Sequence, residues 1–419
     1  MTERIFATYM IETAHDIERA AAIMAGEQSA GTFVKVAGES PELLERYGAT
    51  VESITILETV DEAALPCYQQ AKGSTAGDTI RRAEVRLSFP YETIGTSLTT
   101  LFTAISGNLF ELAQFSGLRL LDIEIPAIFS EKYLLPQFGI EGTRKLTGVY
   151  DRPLIGTIIK PSVGLSPQET AELVNQLCDA GLDFIKDDEL QTNSPHSPFS
   201  ERVEALMAVI NRHAERTGKK VMVAFNVTGD LDEMRRHHDI VLEQGGTCIM
   251  VNMFSVGLTG LIELRKHSQL PIHGHRAGWG LYSRSPHIGI SYIVIQKIMR
   301  LIGIDHLHVN GLRNKFCESD ESVLASARAC LRPIFGNDSS MPVFSSGQTV
   351  LQVHDTYAEL DSYDLMYLAG GGILGHPAGA EAGVRSLQQA WQAAIEDIAL
   401  DAYAGSHPEL QQAIERFSR

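Results

Sequence analysis

The first third of the chain alternates short apolar runs with helix-like segments. Five runs have the length and apolar content of strands, and two segments between them have helical periodicity. The predicted strands cover 5–11, 32–36, 51–57, 83–89 and 118–125, and the predicted helices cover 16–24 and 93–105. Strands mixed with two helices in this order predict an α+β, ferredoxin-like domain with a mainly antiparallel sheet over residues 1–145.

From residue 150 the pattern becomes regular, with apolar runs and amphipathic helical stretches alternating eight times. The strand candidates are 154–159, 184–186, 221–225, 249–253, 271–275, 306–309, 343–345 and 366–368. The helix candidates are 167–180, 202–217, 231–244, 259–266, 289–301, 322–331, 350–359 and 379–401. Eight such units predict an α/β fold, with a TIM (β/α)8 barrel and C-terminal helices over residues 146–419. A doubly wound open sheet is the alternative, but no GxGxxG motif opens the region, which favours the closed barrel.

Composition narrows the class of function. The chain has 419 residues, of which 44% are hydrophobic, and a formal net charge of −17. That charge argues against nucleic acid or an anionic membrane surface as the main partner, and an anionic ligand would need basic residues gathered locally. The five cysteines form no CxxC pair, and neither a signal peptide nor a membrane span is visible, so we expect a soluble cytoplasmic protein.

Polar residues cluster where the predicted barrel strands end, which is where TIM barrels build active sites. The richest segment is GLDFIKDDE, in which Lys186, Asp188 and Glu189 follow a buried strand. Two carboxylates are the hard oxygen ligands that Mg²⁺ prefers. The alternative is a solvated ion pair at a strand end.

Two histidine pairs follow the fifth and sixth strands. His273 and His275 share one strand face, His306 and His308 share another, and Arg276 follows the first pair. Such groups can bind a metal, exchange protons or hold a phosphate. We expect His273 and His306 to be structural, and no HExxH or Cys/His cluster supports a catalytic zinc.

Two glycine-containing turns and one basic loop complete the predicted barrel mouth. The turns are SSGQ at 345–348 and GGG at 370–372, placed where barrels frequently bind phosphate. The loop NGLRNKF at 310–316 carries Arg313 and Lys315 and could close over a ligand. The alternatives are tight turns and an exposed basic loop.

These motifs, taken together, resemble the ribulose-bisphosphate carboxylase/oxygenase (RuBisCO) large-chain superfamily over nearly the whole chain. The motifs that carry the resemblance, in chain order, are GEQSAGTF at 26–33, GNLF at 107–110, GTIIKP at 156–161, GLDFIKDDE at 181–189, HGHRA at 273–277, DHLHVNGLRNK at 305–315, SSG at 345–347 and GGGILGHP at 370–377.

The resemblance implies roles for individual residues. Lys186 would react with CO₂ to form a carbamate, which with Asp188 and Glu189 would hold one Mg²⁺ per site. The implied catalytic residues are Lys160, Lys186, His275, His308 and Lys315. The implied substrate- and phosphate-binding residues are Glu27, Thr32, Asn108, Arg276, Ser345, Gly347, Gly371 and Gly372. The first three of these would reach the neighbouring subunit's site, so the functional unit would be a homodimer or a multiple of one.

Departures from the carboxylase pattern identify the chain as a RuBisCO-like protein (form IV). Ser162 replaces a catalytic lysine, Trp279 a histidine, Phe33 a tryptophan at a phosphate contact, and Leu190 an asparagine. We therefore expect no carboxylation of ribulose bisphosphate.

The resemblance implies a Mg²⁺-dependent enzyme, a lyase, that forms an enediolate from a phosphorylated sugar acid or ketose. The preferred hypothesis is a 3-oxo-isoapionate-4-phosphate decarboxylase or transcarboxylase/hydrolase of apiose catabolism. The alternatives are the 2,3-diketo-5-methylthiopentyl-1-phosphate enolase or 5-methylthioribulose-1-phosphate isomerase of methionine salvage, and a non-catalytic sugar-phosphate sensor. Release of labelled CO₂ would separate the decarboxylase from the enolase and isomerase.

Overall fold

The computed structural model describes residues 3–31, 36–65 and 79–418. They form two compact units, one of Met1–Tyr133 with Gly278–Ile298 and one of Leu134–Ala277 with Met299–Arg419. The strands are β1 (Arg4–Thr13), β2 (Thr50–Val60), β3 (Ile80–Pro90), β4 (Gly117–Glu124), β5 (Leu154–Ile158), β6 (Phe184–Lys186), β7 (Met222–Asn226), β8 (Cys248–Asn252), β9 (Ile272–His275), β10 (Ile288–Ile290), β11 (His306–His308), β12 (Met341–Phe344) and β13 (Met366–Leu368).

The helices alternate with these strands along the second unit and flank the sheet of the first. They are α1 (Ile17–Glu27), α2 (Pro41–Tyr47), α3 (Tyr91–Ile94), α4 (Leu98–Ser106), α5 (Gly139–Thr147), α6 (Pro167–Asp179), α7 (Phe199–Thr217), α8 (Leu231–Glu243), α9 (Met253–His267), α10 (Gly280–Ser283), α11 (Tyr292–Ile302), α12 (Asp320–Leu331), α13 (Val353–Leu360), α14 (Gly370–Leu374), α15 (Ala380–Ile395), α16 (Leu400–Ala404) and α17 (Pro408–Phe417). Among the described residues, none of these helices is long and apolar enough to cross a bilayer.

The first unit is built on a five-stranded sheet in the order β10-β4-β1-β3-β2. Strands β1–β4 pair antiparallel, whereas β10 runs parallel to β4. The predicted strands at 5–11, 51–57, 83–89 and 118–125 overlap β1 to β4, and residues 32–35 of the remaining one lie outside the described residues.

The helix predicted at 16–24 overlaps α1, but one helical prediction in this unit needs correction and one helix was missed. The helix expected at 93–105 is two helices, because Gly95 takes a left-handed φ of 61° and Ser97 caps the start of α4. Helix α2 was not predicted, although Ser40 as the capping residue followed by Pro41 at the first helical position is a start signal.

The second unit is a closed parallel barrel with the strand order β11-β12-β13-β5-β6-β7-β8-β9. Its eight strands overlap the eight predicted runs, so the TIM-barrel prediction is confirmed. The chain leaves the barrel after β9, where residues 278–298 join the first unit and supply β10. For this reason the helix predicted at 289–301 begins only at Tyr292.

Apolar side chains from every second position fill the barrel interior, as the strand period of two requires. The buried cluster comprises Val149, Leu154, Phe184, Met222, Ala224, Cys248, Met250, Met341, Val343, Met366 and Leu368. Because this core is continuous, the strands are held rigidly by packing. The polar side chains at the strand ends are therefore held in fixed positions.

Leu154 allows a test of this core, because its side chain is fully buried on β5. Leu154→Ala should lower the free energy of unfolding by about 2–5 kcal/mol through lost burial and the cavity it leaves. Chemical denaturation measures this loss. Ile334→Ala, at a position 39% exposed, is the control and should change stability by no more than about 0.5 kcal/mol. An equal effect of the two substitutions would contradict the assigned core.

Candidate functional site

The centre of the site is the side chain of Lys186, the last residue of β6. Phe184 belongs to the barrel core, and alternation along the strand puts Lys186 on the same inward face. The lysine side chain is only 2% exposed. A long cationic side chain is therefore held inside the barrel at the carboxyl ends of the strands.

Acidic residues surround this buried amine. Its Nζ donates to the carbonyl of Asp187 at 2.9 Å and lies 3.5 Å from a carboxylate oxygen of Glu189. Burial lowers the pKa of Lys186, and the opposing charges of Glu189, Asp188 and Asp187 offset this only in part. The neutral amine, which is the nucleophilic form, is thus more accessible than in an exposed lysine.

The carboxylates of Asp188 and Glu189 each contact a second basic group. Asp188 accepts a hydrogen bond from Lys160 Nζ at 2.6 Å, and the same ammonium donates to Ser162 at 2.8 Å. Glu189 lies 3.6 Å from Nε2 of His275. Burial raises the pKa of Glu189, but the charge of Lys186 and further contacts outweigh it, so the net shift is downward.

Second-layer contacts hold the backbone of this segment, and sequence reasoning missed most of them. The buried carboxylate of Asp187 accepts from Arg202 at 3.2 Å and from the backbone N–H of Asn226 at 3.0 Å. The side-chain amide of Asn226 donates to the carbonyls of residues 188 and 189, and Asn252 donates to that of Glu189 at 2.9 Å. Asn226 and Asn252 end adjacent strands, a signal for this role.

The four histidines also meet inside the barrel. His308 Nε2 lies 2.7 Å from His273 Nε2, and His273 Nδ1 lies 3.3 Å from His306 Nδ1. Burial lowers the pKa of all four imidazoles. For His306 burial is the only cause, and it lowers the pKa to about 3. The imidazole of His275 accepts from the N–H of Ala277 through Nδ1, which leaves Nε2 toward Glu189.

The loops that follow β11 and β12 are joined to each other. The N–H of Ser345 donates to the carbonyl of Asn310, and the N–H of Lys315 donates to that of Ser346, both at 3.1 Å. Asn310 and Ser346 have left-handed φ angles of 67° and 71°, and their side chains bond at 2.8 Å. Two strained residues therefore stabilise each other beside the site.

Two predicted cations differ in their surroundings. The guanidinium of Arg276 donates to Glu318, a carboxylate that also accepts from Asn310 at 2.7 Å and from Ser322 at 2.8 Å. Sequence reasoning missed Glu318, which arrives from the loop after β11. The ammonium of Lys315 lies 5.2 Å from the ring centre of Phe316 on an exposed part of this loop.

The glycines of the predicted phosphate turns allow close approach of backbone. A side chain on Gly372 would place its Cβ 2.4 Å from the carbonyl oxygen of Gln348, so only glycine lets these two turns touch. Gly371, by contrast, faces open space, and Gly347 has a φ of 93°. The turns after β12 and β13 thus lie against each other at the barrel mouth.

Three of the predicted binding residues belong to the first unit. Glu27 is exposed at the end of α1, and Asn108 is exposed in a short 3₁₀ turn. The side-chain oxygen of Gln28 accepts from the N–H of Asn108 at 3.0 Å when its amide nitrogen faces the carbonyls of α4. Glu27, the neighbour of Gln28, therefore lies near Asn108. Thr32, like Phe33, lies outside the described residues. Trp279 is buried in the same unit against Tyr282 and Tyr292.

The donor set around Lys186 fits a hard divalent cation. Asp188 and Glu189 supply carboxylate oxygens that now contact ammonium groups, and a metal ion would take over the role of those charges. Lys186 would add a third oxygen donor as a carbamate.

Outside this site, His238, Asp239 and His267 offer three ligand atoms that all lie within 4.8 Å of one another. Nε2 of His238 accepts from the N–H of Gln269 at 3.1 Å, and its Nδ1 lies 2.9 Å from Asp239. A neutral imidazole that accepts at Nε2 must carry its hydrogen on Nδ1. His238 therefore has no lone pair for a metal unless it loses a hydrogen bond.

Comparison with known proteins decides the family. A model described as the ribulose bisphosphate carboxylase large chain, catalytic domain, matches residues 139–417, and one described as its N-terminal domain matches residues 2–129. The chain belongs to the RuBisCO large-chain family. Membership of this family implies a metal cofactor.

Its close homologues are RuBisCO-like proteins rather than carboxylases, as predicted. The chain is 54% identical over 416 residues, 99% of each chain, to a 3-oxo-isoapionate-4-phosphate transcarboxylase/hydrolase from Xanthobacter autotrophicus. It is 46% identical over 417 residues, 99% of this chain and 98% of the other, to a 3-oxo-isoapionate-4-phosphate decarboxylase from Rhizobium rhizogenes. A solved rubisco-like protein from Burkholderia fungorum is 44% identical, with a TM-score of 0.93 over 99% of this chain and all of the other.

The buried histidines predict a marked loss of stability in mild acid. His306 has a folded-state pKa of about 3, below its ordinary value of 6.5, so on acidification the unfolded chain takes up the proton first. The contribution of neutral His306 to the free energy of unfolding is complete above about pH 6.5 and is lost as the pH falls toward 3. By pH 5 the loss is about 2 kcal/mol. Urea denaturation between pH 5 and 7.5 measures this slope.

His306→Gln should flatten the pH dependence of unfolding, because it removes the titrating group. The exposed His196 provides a control, and His196→Gln should leave the slope as it is in the unaltered protein. Equal slopes in His306→Gln and the unaltered protein would contradict a neutral, buried His306.

Proposed function

We propose that this chain is an enzyme that acts on 3-oxo-isoapionate 4-phosphate and breaks the bond to its carboxyl group. The observation that carries the proposal is the buried Lys186 amine, set among the carboxylates of Asp188 and Glu189, with Lys160 on Asp188. The relatives from Xanthobacter autotrophicus and Rhizobium rhizogenes are named for activities that require this bond to break. The retained basic and acidic groups give this reaction a chemical basis.

Lys186, Asp188 and Glu189 are the residues that would hold a Mg²⁺ ion. In this proposal the neutral amine of Lys186 adds CO₂ and releases a proton, and its lowered pKa favours the reactive form. A bound Mg²⁺ would supply Lewis-acid stabilisation of negative charge that develops on substrate oxygens.

Lys160 is the residue we propose as the proton donor. When the carboxyl group of a 3-oxo acid leaves, the electron pair of the broken bond moves toward the 3-oxo group, and the carbon then needs a proton. Lys160 holds its ammonium at the strand-end cluster, 2.6 Å from Asp188, with its side chain 44% exposed toward solvent. It can therefore donate from Nζ at the mouth and recover a proton from water.

The remaining groups bind and orient. Ser345 and His308 present polar atoms at the mouth, and we propose that His275 keeps Glu189 in place. The backbone N–H groups near Gly371 and Gly372 suit a phosphate. Arg276 and Lys315 add positive charge, and an incoming anion would compete with Glu318 for Arg276.

We further propose a homodimer, or a multiple of one, as the functional unit. RuBisCO-family structures include dimers and octamers. In the proposed assembly, Glu27, Thr32 and Asn108 reach the site of the neighbouring subunit.

After the bond breaks, the carboxyl group has two chemically distinct fates, transfer to another carbon or release as CO₂. The higher identity to the transcarboxylase/hydrolase, 54% against 46%, favours transfer of the carboxyl group and hydrolysis over its release. Substrate labelled at the carboxyl carbon distinguishes them, because transfer keeps the label in an organic acid and decarboxylation releases it as CO₂.

The decisive assay incubates the protein with this labelled substrate, Mg²⁺ and bicarbonate. We expect turnover with cleavage of the labelled bond, and Lys186→Met should reduce kcat by about 10³-fold. Lys266→Ala, which removes an exposed lysine paired only at the surface of α9, is the control and should keep full activity. Consumption of substrate with the labelled bond intact would indicate an enolase or isomerase instead. Tight binding without any turnover would indicate a sensor.

A further inference from the structure

A line of hydrogen bonds connects helix α5 to the polar mouth of the barrel. It begins at Thr143, passes through His306, His273 and His308, and ends at Ser345. All five side chains are buried. Because each contact needs one donor and one acceptor, the line can be assigned a direction from its fixed end.

The fixed end is held in place by Asp305. Its Oδ1 accepts from the N–H groups of Phe138 and Gly139 at 2.7 and 3.0 Å, where α5 begins. Asp305 directly precedes β11, and Ile140 and Leu146 of α5 pack against the barrel core. The helix is therefore attached to the start of the strand that carries His306, and Thr143 lies one turn further on.

The hydroxyl of Thr143 has its hydrogen committed. It makes a short hydrogen bond to the carbonyl of Gly139, which can only accept, so the hydrogen comes from Thr143. The 2.8 Å contact between Thr143 Oγ1 and His306 Nε2 must then be donated by the imidazole. His306 carries its hydrogen on Nε2 and has a lone pair on Nδ1.

The other two imidazoles follow in turn. The lone pair of His306 Nδ1 faces His273 Nδ1 at 3.3 Å, so His273 carries its hydrogen there and accepts at Nε2. His308 Nε2, 2.7 Å away, must donate to it. Burial lowers the pKa of all three histidines, which keeps each neutral with a single N–H.

We propose that Thr143 is a positioning residue that fixes the hydrogen of His308 on Nε2, so that His308 offers only a lone pair toward Ser345 and the substrate. His308 Nδ1 lies 3.2 Å from Ser345 Oγ, and in this arrangement the hydroxyl donates to it. His308 then accepts a hydrogen bond from Ser345 or from a substrate hydroxyl, and it does not donate to a phosphate. This consequence for catalysis rests on the proposed function, whereas the protonation pattern does not.

The line of hydrogen bonds fixes the tautomers of the three histidines and does not conduct protons to solvent. Thr143 and His306 are fully buried, and the last acceptor is the carbonyl of Gly139 within its own helix. Without the oxygen of Thr143, the N–H of His306 would lack a partner, which is costly in a dry interior. The state of lower free energy is then the one in which all three imidazoles carry their hydrogen on the other nitrogen. This change would turn His308 Nδ1 into a donor.

The test uses ¹⁵N-labelled protein without substrate, and NMR identifies which nitrogen of His308 carries the hydrogen. His308→Gln assigns the signal. We expect Nε2–H in the unaltered protein and in Thr143→Ser, and Nδ1–H in Thr143→Val. Thr147→Val is the matched control, because Thr147 is a buried threonine of the same helix whose hydroxyl bonds only helix carbonyls, and it should keep Nε2–H.

Kinetics provide the second readout. Thr143→Val should lower kcat about tenfold and Thr143→Ser should restore it. Nδ1–H in the unaltered protein, or Nε2–H retained in Thr143→Val, would overturn the proposal. Thr143→Ala removes the same oxygen and replaces the valine variant if that variant does not fold. Absence of turnover on the proposed substrate, together with a reversed His308 in Thr143→Val, would refute the proposed function and leave the assignment of Thr143 standing.

Discussion

The burial of one amine among carboxylates is the constraint on which the rest of the site depends. An isolated charge is expensive in a barrel interior, and Lys186 is 2% exposed. The acidic residues that follow it offset part of that penalty, and the charges of Asp188 and Asp187 are in turn offset by Lys160 and Arg202, while the neutral imidazole of His275 lies beside Glu189. The result is a mutually dependent cluster in which each group is held by its neighbours.

The barrel holds two polar systems that differ in charge. The charged system comprises Lys160, Lys186, Asp188 and Glu189 at the carboxyl ends of the strands, where a metal ion and an anionic substrate can bind. The neutral one is the column of histidines between Phe184 and the loops above it. Burial holds this column uncharged, so it can define hydrogen-bond direction without adding a competing charge to the cation site.

Sequence reasoning located the elements better than the contacts between them. Eight alternating runs sufficed for the barrel, and GLDFIKDDE marked the strand end that carries Lys186, because both signals are local and periodic. The pairing of Arg276 with Glu318 and that of Thr143 with His306 join residues 42 and 163 positions apart. No spacing rule predicts such pairs, since they depend on how loops and an extra helix meet the barrel. The excursion of residues 278–298 into the first unit was hidden for the same reason. The roles of the site residues stay predictions, and those of Glu27, Thr32 and Asn108 also depend on a neighbouring subunit.

The central claim is that the Lys186 amine is a CO₂ acceptor that completes a cation site. The most direct measurement is ¹³C NMR of protein labelled with ¹⁵N at lysine Nζ and equilibrated with Mg²⁺ and ¹³C-bicarbonate. The account predicts a carbamate resonance with one-bond coupling between ¹³C and ¹⁵N, present in the unaltered protein and in Lys266→Ala and absent in Lys186→Met. No such resonance at saturating bicarbonate and Mg²⁺, or one that persists in Lys186→Met, would contradict it.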